Sequence, residues 1–97
     1  MTKLPVTEND VKSQVKQLLA IKNIFNYHLL QGMGAYKGVP DRVLHYKGRV
    51  IYLEIKKPGG KMSPHQIVFM MQCMEEDIPY WCIDDIAKLD ELLEAVE

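Results

Sequence analysis

The chain is predicted to fold as a small α/β domain, a mixed sheet with helices against it, in the order α-β-β-β-α-β-α. Three observations predict this. Apolar residues recur at helical spacing in three segments and at strand-like density in four others. Two of the strand-like runs, "DRVLHY" and "RVIYLEIK", meet at Lys47-Gly48, a short turn that makes them an antiparallel hairpin. A helical segment separates the third strand from the fourth, which fits a crossover connection between parallel strands.

The elements follow in order. Thr7, with Asp10 three residues on, forms a capping box that opens the first helix, and Val11, Val15, Leu18 and Leu19 are its apolar stripe. Glu8 lies three and seven positions before Val11 and Val15 and shares their side, whereas Asp10, Lys12 and Lys16 mostly do not. "IFNYHLL" (24–30) reads as a strand, and "QGMGAYKGVP" (31–40), with three glycines and a proline, as a loop. The hairpin follows, then the loop "PGGKM". Ser63 caps the second helix with Pro64 at its first position, where a missing N–H costs nothing. Ile67, Met70, Met71 and Met74 mark that helix's apolar face. "IPYWCI" reads as a buried strand. Asp84 or Asp85 caps the last helix, whose stripe is Ile86, Leu89, Leu92, Leu93 and Val96.

Ninety-seven residues are expected to make one domain, 1–97, with a modest core. The apolar content of 47% and charged content of 26% are ordinary for a globular protein. No apolar run approaches the ~20 residues needed to span a bilayer, and "MTKLPVTEND" lacks the apolar middle of a secretory signal. Cys73 and Cys82 both have apolar neighbours, so two buried, reduced thiols in a cytoplasmic protein are expected. No Cys/His cluster has zinc spacing. Net charge is −1, but it is unevenly spread. Residues 1–74 hold eleven Lys and Arg against four acids, and residues 75–97 hold nine acids against one Lys. Such a split suggests a basic working surface and an acidic back. Between Tyr36 and Lys61 there are seven basic residues and only two acidic ones, Asp41 and Glu54.

Those two acids carry the chemistry. In "RVIYLEIK" Ile51, Leu53 and Ile55 point to one face, and Tyr52, Glu54 and Lys56 to the other. With a two-residue turn at Lys47-Gly48, Tyr46 falls opposite Arg49 and Asp41 opposite Glu54. The two carboxylates are then cross-strand neighbours, with Cβ atoms about 4.5–5.5 Å apart. Carboxylates that close need a cation between them. Lys56 supplies part of that charge, and a hard divalent ion such as Mg²⁺ or Mn²⁺ suits the rest. A metal beside phosphate polarises the phosphoryl oxygen and lowers the pKa of a bound water. Lys37, Arg42, Arg49, Lys57 and Lys61 would hold a polyanion there by charge. The combination points to metal-dependent hydrolysis of phosphodiester bonds.

"GVPD" followed by "YLEIKKPGGKMSPHQ" resembles the PD-(D/E)xK nuclease pattern and, more narrowly, the virus-type replication-repair nuclease (VRR-NUC) domain. That family shows Gly-x-Pro-Asp, an E-x-K strand, a Gly-containing loop, and Ser-x-x-Gln opening a helix; the resemblance runs from about Glu8 to Ile83. It implies a restriction-endonuclease-like core in a minimal stand-alone, phage-like form. It also implies Asp41, Glu54 and the backbone carbonyl of Ile55 as metal ligands, Lys56 as catalytic lysine, Gln66 as an accessory site residue, and Glu8 as the first-helix acid that contributes to catalysis or to the metal. A homodimer cutting branched DNA such as a four-way (Holliday) junction, in DNA repair, is the expected activity. Its interface would be the apolar arc around Phe69, Met70 and Met74, or the stripe of the last helix.

Plainer roles compete at several of these positions. Ser63 and Gln66 make a capping box by themselves, and Glu8 suits a helix's first turn whatever else it does. Tyr36 reads equally as a base-stacking or a loop-packing residue. A non-catalytic nucleic-acid-binding module would keep the basic surface, but it would gain from neutralising Asp41 and Glu54. A restriction-type nuclease would use the same carboxylates on linear duplex DNA, and a protein-interaction domain would use the acidic last helix.

Overall fold

Each helix starts where its capping chemistry sits. The computed structural model describes residues 4–97. Thr7 accepts a hydrogen bond from the Asp10 amide while the Asp10 carboxylate accepts one from the Thr7 amide, and α1 runs Glu8–Ile21. Ser63 and Gln66 repeat this box at the start of α2, Pro64–Glu75. Asp85, rather than Asp84, caps α3, Ile86–Ala95, by accepting from the Ala87 amide. Between these lie β1 (Phe25–His28), β2 (Arg42–Tyr46), β3 (Arg49–Ile55) and β4 (Tyr80–Ile83), so the order is α-β-β-β-α-β-α, as predicted.

The strands form one mixed sheet in the order β1-β2-β3-β4. The first three are antiparallel neighbours, and β4 runs parallel to β3 after the α2 crossover. The β2–β3 turn has positive φ at both Lys47 (51°) and Gly48 (76°). That is the two-residue geometry whose twist matches the flanking strands. It sets the expected register, with Tyr46 opposite Arg49 and Arg42 opposite Leu53.

The stripes of α1 and α3 close on one face of the sheet. Val11, Val15 and Leu19 from α1, and Leu89 and Leu93 from α3, pack with Leu44, Ile51, Leu53, Ile55 and Ile83. On the opposite face lies α2. The Phe69 and Tyr52 rings stand nearly perpendicular with centroids 5.3 Å apart, and the Phe69 and Tyr80 centroids are 6.2 Å apart.

Four expectations need correction. The buried face of α2 is not Ile67, Met70, Met71 and Met74: Ile67, Met71 and Met74 are 40%, 56% and 65% exposed, while Gln66, Phe69 and Met70 are half-buried and Cys73 is buried. Positions 67–74 of this helix hold a single polar residue, Gln72, among Ile67, Val68, Phe69, Met70, Met71, Cys73 and Met74, so spacing alone does not choose a face. Docking of Phe69 onto Tyr52 and Tyr80 chooses it. The strand expected over 24–30 is only Phe25–His28 and lies at the sheet edge, largely exposed. The fourth strand is likewise an edge, so only Ile83 is buried and Cys82 is exposed rather than buried; Cys73 is the one buried thiol. The α3 stripe expected as a possible dimer face is consumed by the core. Among the described residues, no helix is long and apolar enough to cross a membrane.

Candidate active site

The site assembles where β2 begins and β3 ends. Gly38 makes it possible. Its φ is +87°, and a Cβ there would stand 2.3 Å from the His65 carbonyl oxygen. Only glycine lets this loop rest against the first turn of α2. Pro40 is buried just after it, and Asp41 enters the sheet next to Glu54, one step beyond the Arg42–Leu53 pair. The Asp41 carboxylate is held on both oxygens. Oδ2 accepts from the Ile55 amide at 2.8 Å, and Oδ1 faces Lys12 Nζ at 3.3 Å and Gln31 Nε2 at 3.5 Å.

Glu54 is the anomaly of the molecule. It is only 1% exposed, the one buried charged residue among the described residues. Its Oε1 accepts from Gln66 Nε2 at 3.3 Å and lies 3.8 Å from Lys56 Nζ. Its Oε2 is buried with no hydrogen-bond partner. Burial pushes the carboxyl up to about 8, the Asp41 carboxylate adds to the shift, and Lys56 opposes it. An orphaned buried oxygen is costly, so a native structure keeps one only for a reason.

The backbone adds a further oxygen. The Lys56 amide donates to Ile83 on the β4 side. Alternate residues of a strand direct their peptide groups to opposite edges, so the Ile55 amide and carbonyl both point toward Asp41. Asp41, Glu54 and the Ile55 carbonyl therefore offer hard oxygens to a single region. Among the described residues no group of three or more His, Cys, Asp or Glu side chains converges. A Mg²⁺ site does not need one, because this ion keeps several waters and takes one or two carboxylates. The donor set and the unpartnered Glu54 oxygen fit such an ion.

Gln66 caps α2 and also touches Glu54. Its Oε1 accepts from the Ser63 amide at 2.8 Å, completing the cap, while its Nε2 donates to Glu54. Glu8 joins the site indirectly, through Lys12 Nζ at 3.2 Å, and that same ammonium reaches Asp41. Burial alone would lower the Lys12 pKa, but Asp41 and Glu8 outweigh it and hold the group above its ordinary value.

The expected basic residues are distributed unequally. Arg42 lines a cleft of ≈ 310 Å³ with Lys12, His28, Gln31, Asp41 and Ile55, and donates to Asn26 at 2.9 Å. Lys37 borders a neighbouring cleft with Tyr36, His65 and Gln66. Lys57 and Lys61 are exposed on the loop that leaves β3 for α2. Arg49 is not brought to the carboxylates. It sits at the far end of β3 and donates to the Glu97 carbonyl.

Three residues of the site escape sequence reasoning. Helical phase puts Lys12 on the outer side of α1, yet it is four residues, one helical turn, after Glu8, and that spacing is a usable signal. Gln31 sits in a loop with no period to read. Tyr80 pairs with Tyr52 across the parallel strands, and its hydroxyl is buried without a partner. Burial first, then the charge of Glu54, raises its pKa, so it stays a protonated donor. No protein-family model matches the chain, and a search of curated proteins finds none similar to it; the likeness to the replication-repair nucleases rests on the motif alone.

Proposed function

We propose that the protein is a divalent-metal-dependent endonuclease that hydrolyses DNA phosphodiester bonds, selecting branched DNA such as four-way junctions. The observation that carries this reading is the Glu54 carboxylate, buried with one oxygen unpartnered and interacting with the Asp41 carboxylate. A divalent ion bound by these oxygens would polarise the phosphate and acidify a water at neutral pH. Lys56, 14% exposed and 3.8 Å from Glu54, would orient the attacking water or offset charge developing on the phosphate. Gln66 keeps Glu54 oriented from the frame of α2. Arg42, Lys37, Lys57 and Lys61 would hold the DNA backbone by charge, without reading bases.

The finer assignments belong to the same proposal. A homodimer would present two sites across a two-fold axis, matching the approximate symmetry of a four-way junction. With the α3 stripe inside the core, the outward side of α2 is the surface for it, through Ile67, Val68, Met71 and Met74. Two unpaired thiols suit a reducing, cytoplasmic setting.

The test is cleavage of linear, flapped and four-way DNA with Mg²⁺ or Mn²⁺, alongside sedimentation at micromolar concentration. Metal-dependent paired nicks on the junction, little cutting of plain duplex, and twice the 11.2 kDa chain mass are expected. A monomer that degrades linear duplex equally well would remove junction selectivity. Absence of any metal-dependent cutting would remove the nuclease.

A further inference from the structure

We propose that Lys12 is a built-in, displaceable counter-ion: its ammonium occupies the open oxygen of Asp41 in the metal-free protein and is exchanged for the divalent ion when that ion binds. The inference rests on the metal-dependent reading above and assigns a role to a residue outside the ExK motif.

The geometry singles out one oxygen. Asp41 Oδ2 is engaged by the Ile55 amide at 2.8 Å. Oδ1 has the longer contacts, to Gln31 at 3.5 Å and to Lys12 Nζ at 3.3 Å, and is therefore the oxygen more open to an incoming cation. Lys12 already stands there as a cation. Its second contact is Glu8 Oε2 at 3.2 Å, one helical turn earlier on α1. The ammonium thus bridges the Glu8 and Asp41 carboxylates. Lys56 cannot substitute for it, since its contact is with Glu54.

Three physical consequences follow. Glu8 and Asp41 do not repel each other unscreened in the metal-free state, so folding is not made to wait for the ion. The ion and the ammonium are like charges directed at one oxygen, so each lowers the other's occupancy. Displacement is feasible, because the Lys12 side chain is 39% exposed and borders an open cleft with His28, Gln31 and Arg42. A lysine offers a flexible stem and a point charge rather than a rigid fork, which suits a group that must leave.

The test is Mn²⁺ binding by calorimetry, with no DNA present, to the wild-type chain, Lys12→Met and Lys12→Arg, together with the melting temperature of each without metal. Lys12→Met is expected to bind Mn²⁺ about tenfold more tightly, by loss of one like charge. Its metal-free form should melt about 2–8 °C lower, the size expected for a net ion-pair loss near 0.5–1 kcal/mol in a domain of this size. Lys12→Arg should return the affinity toward that of wild type. Lys12→Gln carries the same test should the methionine variant not fold. Equal or weaker Mn²⁺ binding by Lys12→Met, with clear binding by the wild type, would overturn the counter-ion role and leave the metal site standing. No binding by either would overturn the metal site and the counter-ion with it.

Discussion

At its first residue β3 carries Arg49, and at its sixth it carries Glu54. The Arg49 guanidinium donates to the carbonyls of Glu97 at 2.6 Å and Lys47 at 3.4 Å, while Lys47 reaches the Val96 carbonyl at 2.8 Å. These contacts are exposed and tie the hairpin turn to the end of α3. At the other end, Glu54 is buried against a second carboxylate with an oxygen left over. The two charges belong to one seven-residue strand. One is spent on satisfied, solvated bonds that hold the surface together. The other is kept in a costly state, as expected of a group reserved for a ligand or a reaction.

The sharpest way to break this contrast is to compare both ends in a cleavage assay. Asp41→Ala, Glu54→Ala and Lys56→Ala are each expected to reduce metal-dependent cutting to background with a wild-type far-ultraviolet spectrum. Arg49→Ala should cut as wild type does. Full activity in a rigorously purified Glu54→Ala protein would dissolve the distinction between the two ends.

Acidity offers a second, smaller handle. Glu54 keeps its proton to about pH 8 in the folded chain, against 4.5 for the ordinary value. The native state therefore holds a proton that the unfolded state releases. Its stabilising contribution is complete below the unfolded value and is lost as pH rises through the folded one. Metal-free melting temperature should fall between about pH 5 and pH 8, by an amount equivalent to a few kcal/mol. Glu54→Gln should flatten that slope, and Mg²⁺ at pH 8 should recover part of the loss in the wild type alone. A slope that Glu54→Gln leaves intact would place its origin elsewhere.

Gly38→Ala tests the loop that positions Asp41. The added methyl meets the His65 backbone and a positive φ at once, so a loss of about 1–3 kcal/mol is expected, read by chemical denaturation. Activity should fall further than stability, because Asp41 and Gln66 move apart. Gly48→Ala, also at positive φ but with open space around it, should cost less and spare activity.

The smallest effects are electrostatic and exposed. Lys57→Ala and Lys61→Ala should each weaken DNA binding and reduce its salt slope by about one. Arg49→Ala should leave that slope unchanged and alter stability by no more than about 1 kcal/mol.

Local chemistry was enough to determine much of this protein. The boxes at Thr7–Asp10 and Ser63–Gln66, the turn at Lys47-Gly48, and the alternation in "RVIYLEIK" involve residues within a few positions of one another. Each reports a bond or dihedral made inside its own segment, so the elements, their order and the β2–β3 register could be read directly. What only the tertiary structure decided is which face each element turns inward and which distant side chains then meet. The outward side of α2 depends on Phe69 reaching Tyr52 and Tyr80, and the burial of Glu54 depends on that helix. The arrival of Lys12 between Glu8 and Asp41 depends on how α1 lies against the sheet, and the exposure of Cys82 on β4 being an edge. These are long-range packing outcomes, settled by the shape complementarity of whole layers, and no window of consecutive residues contains them.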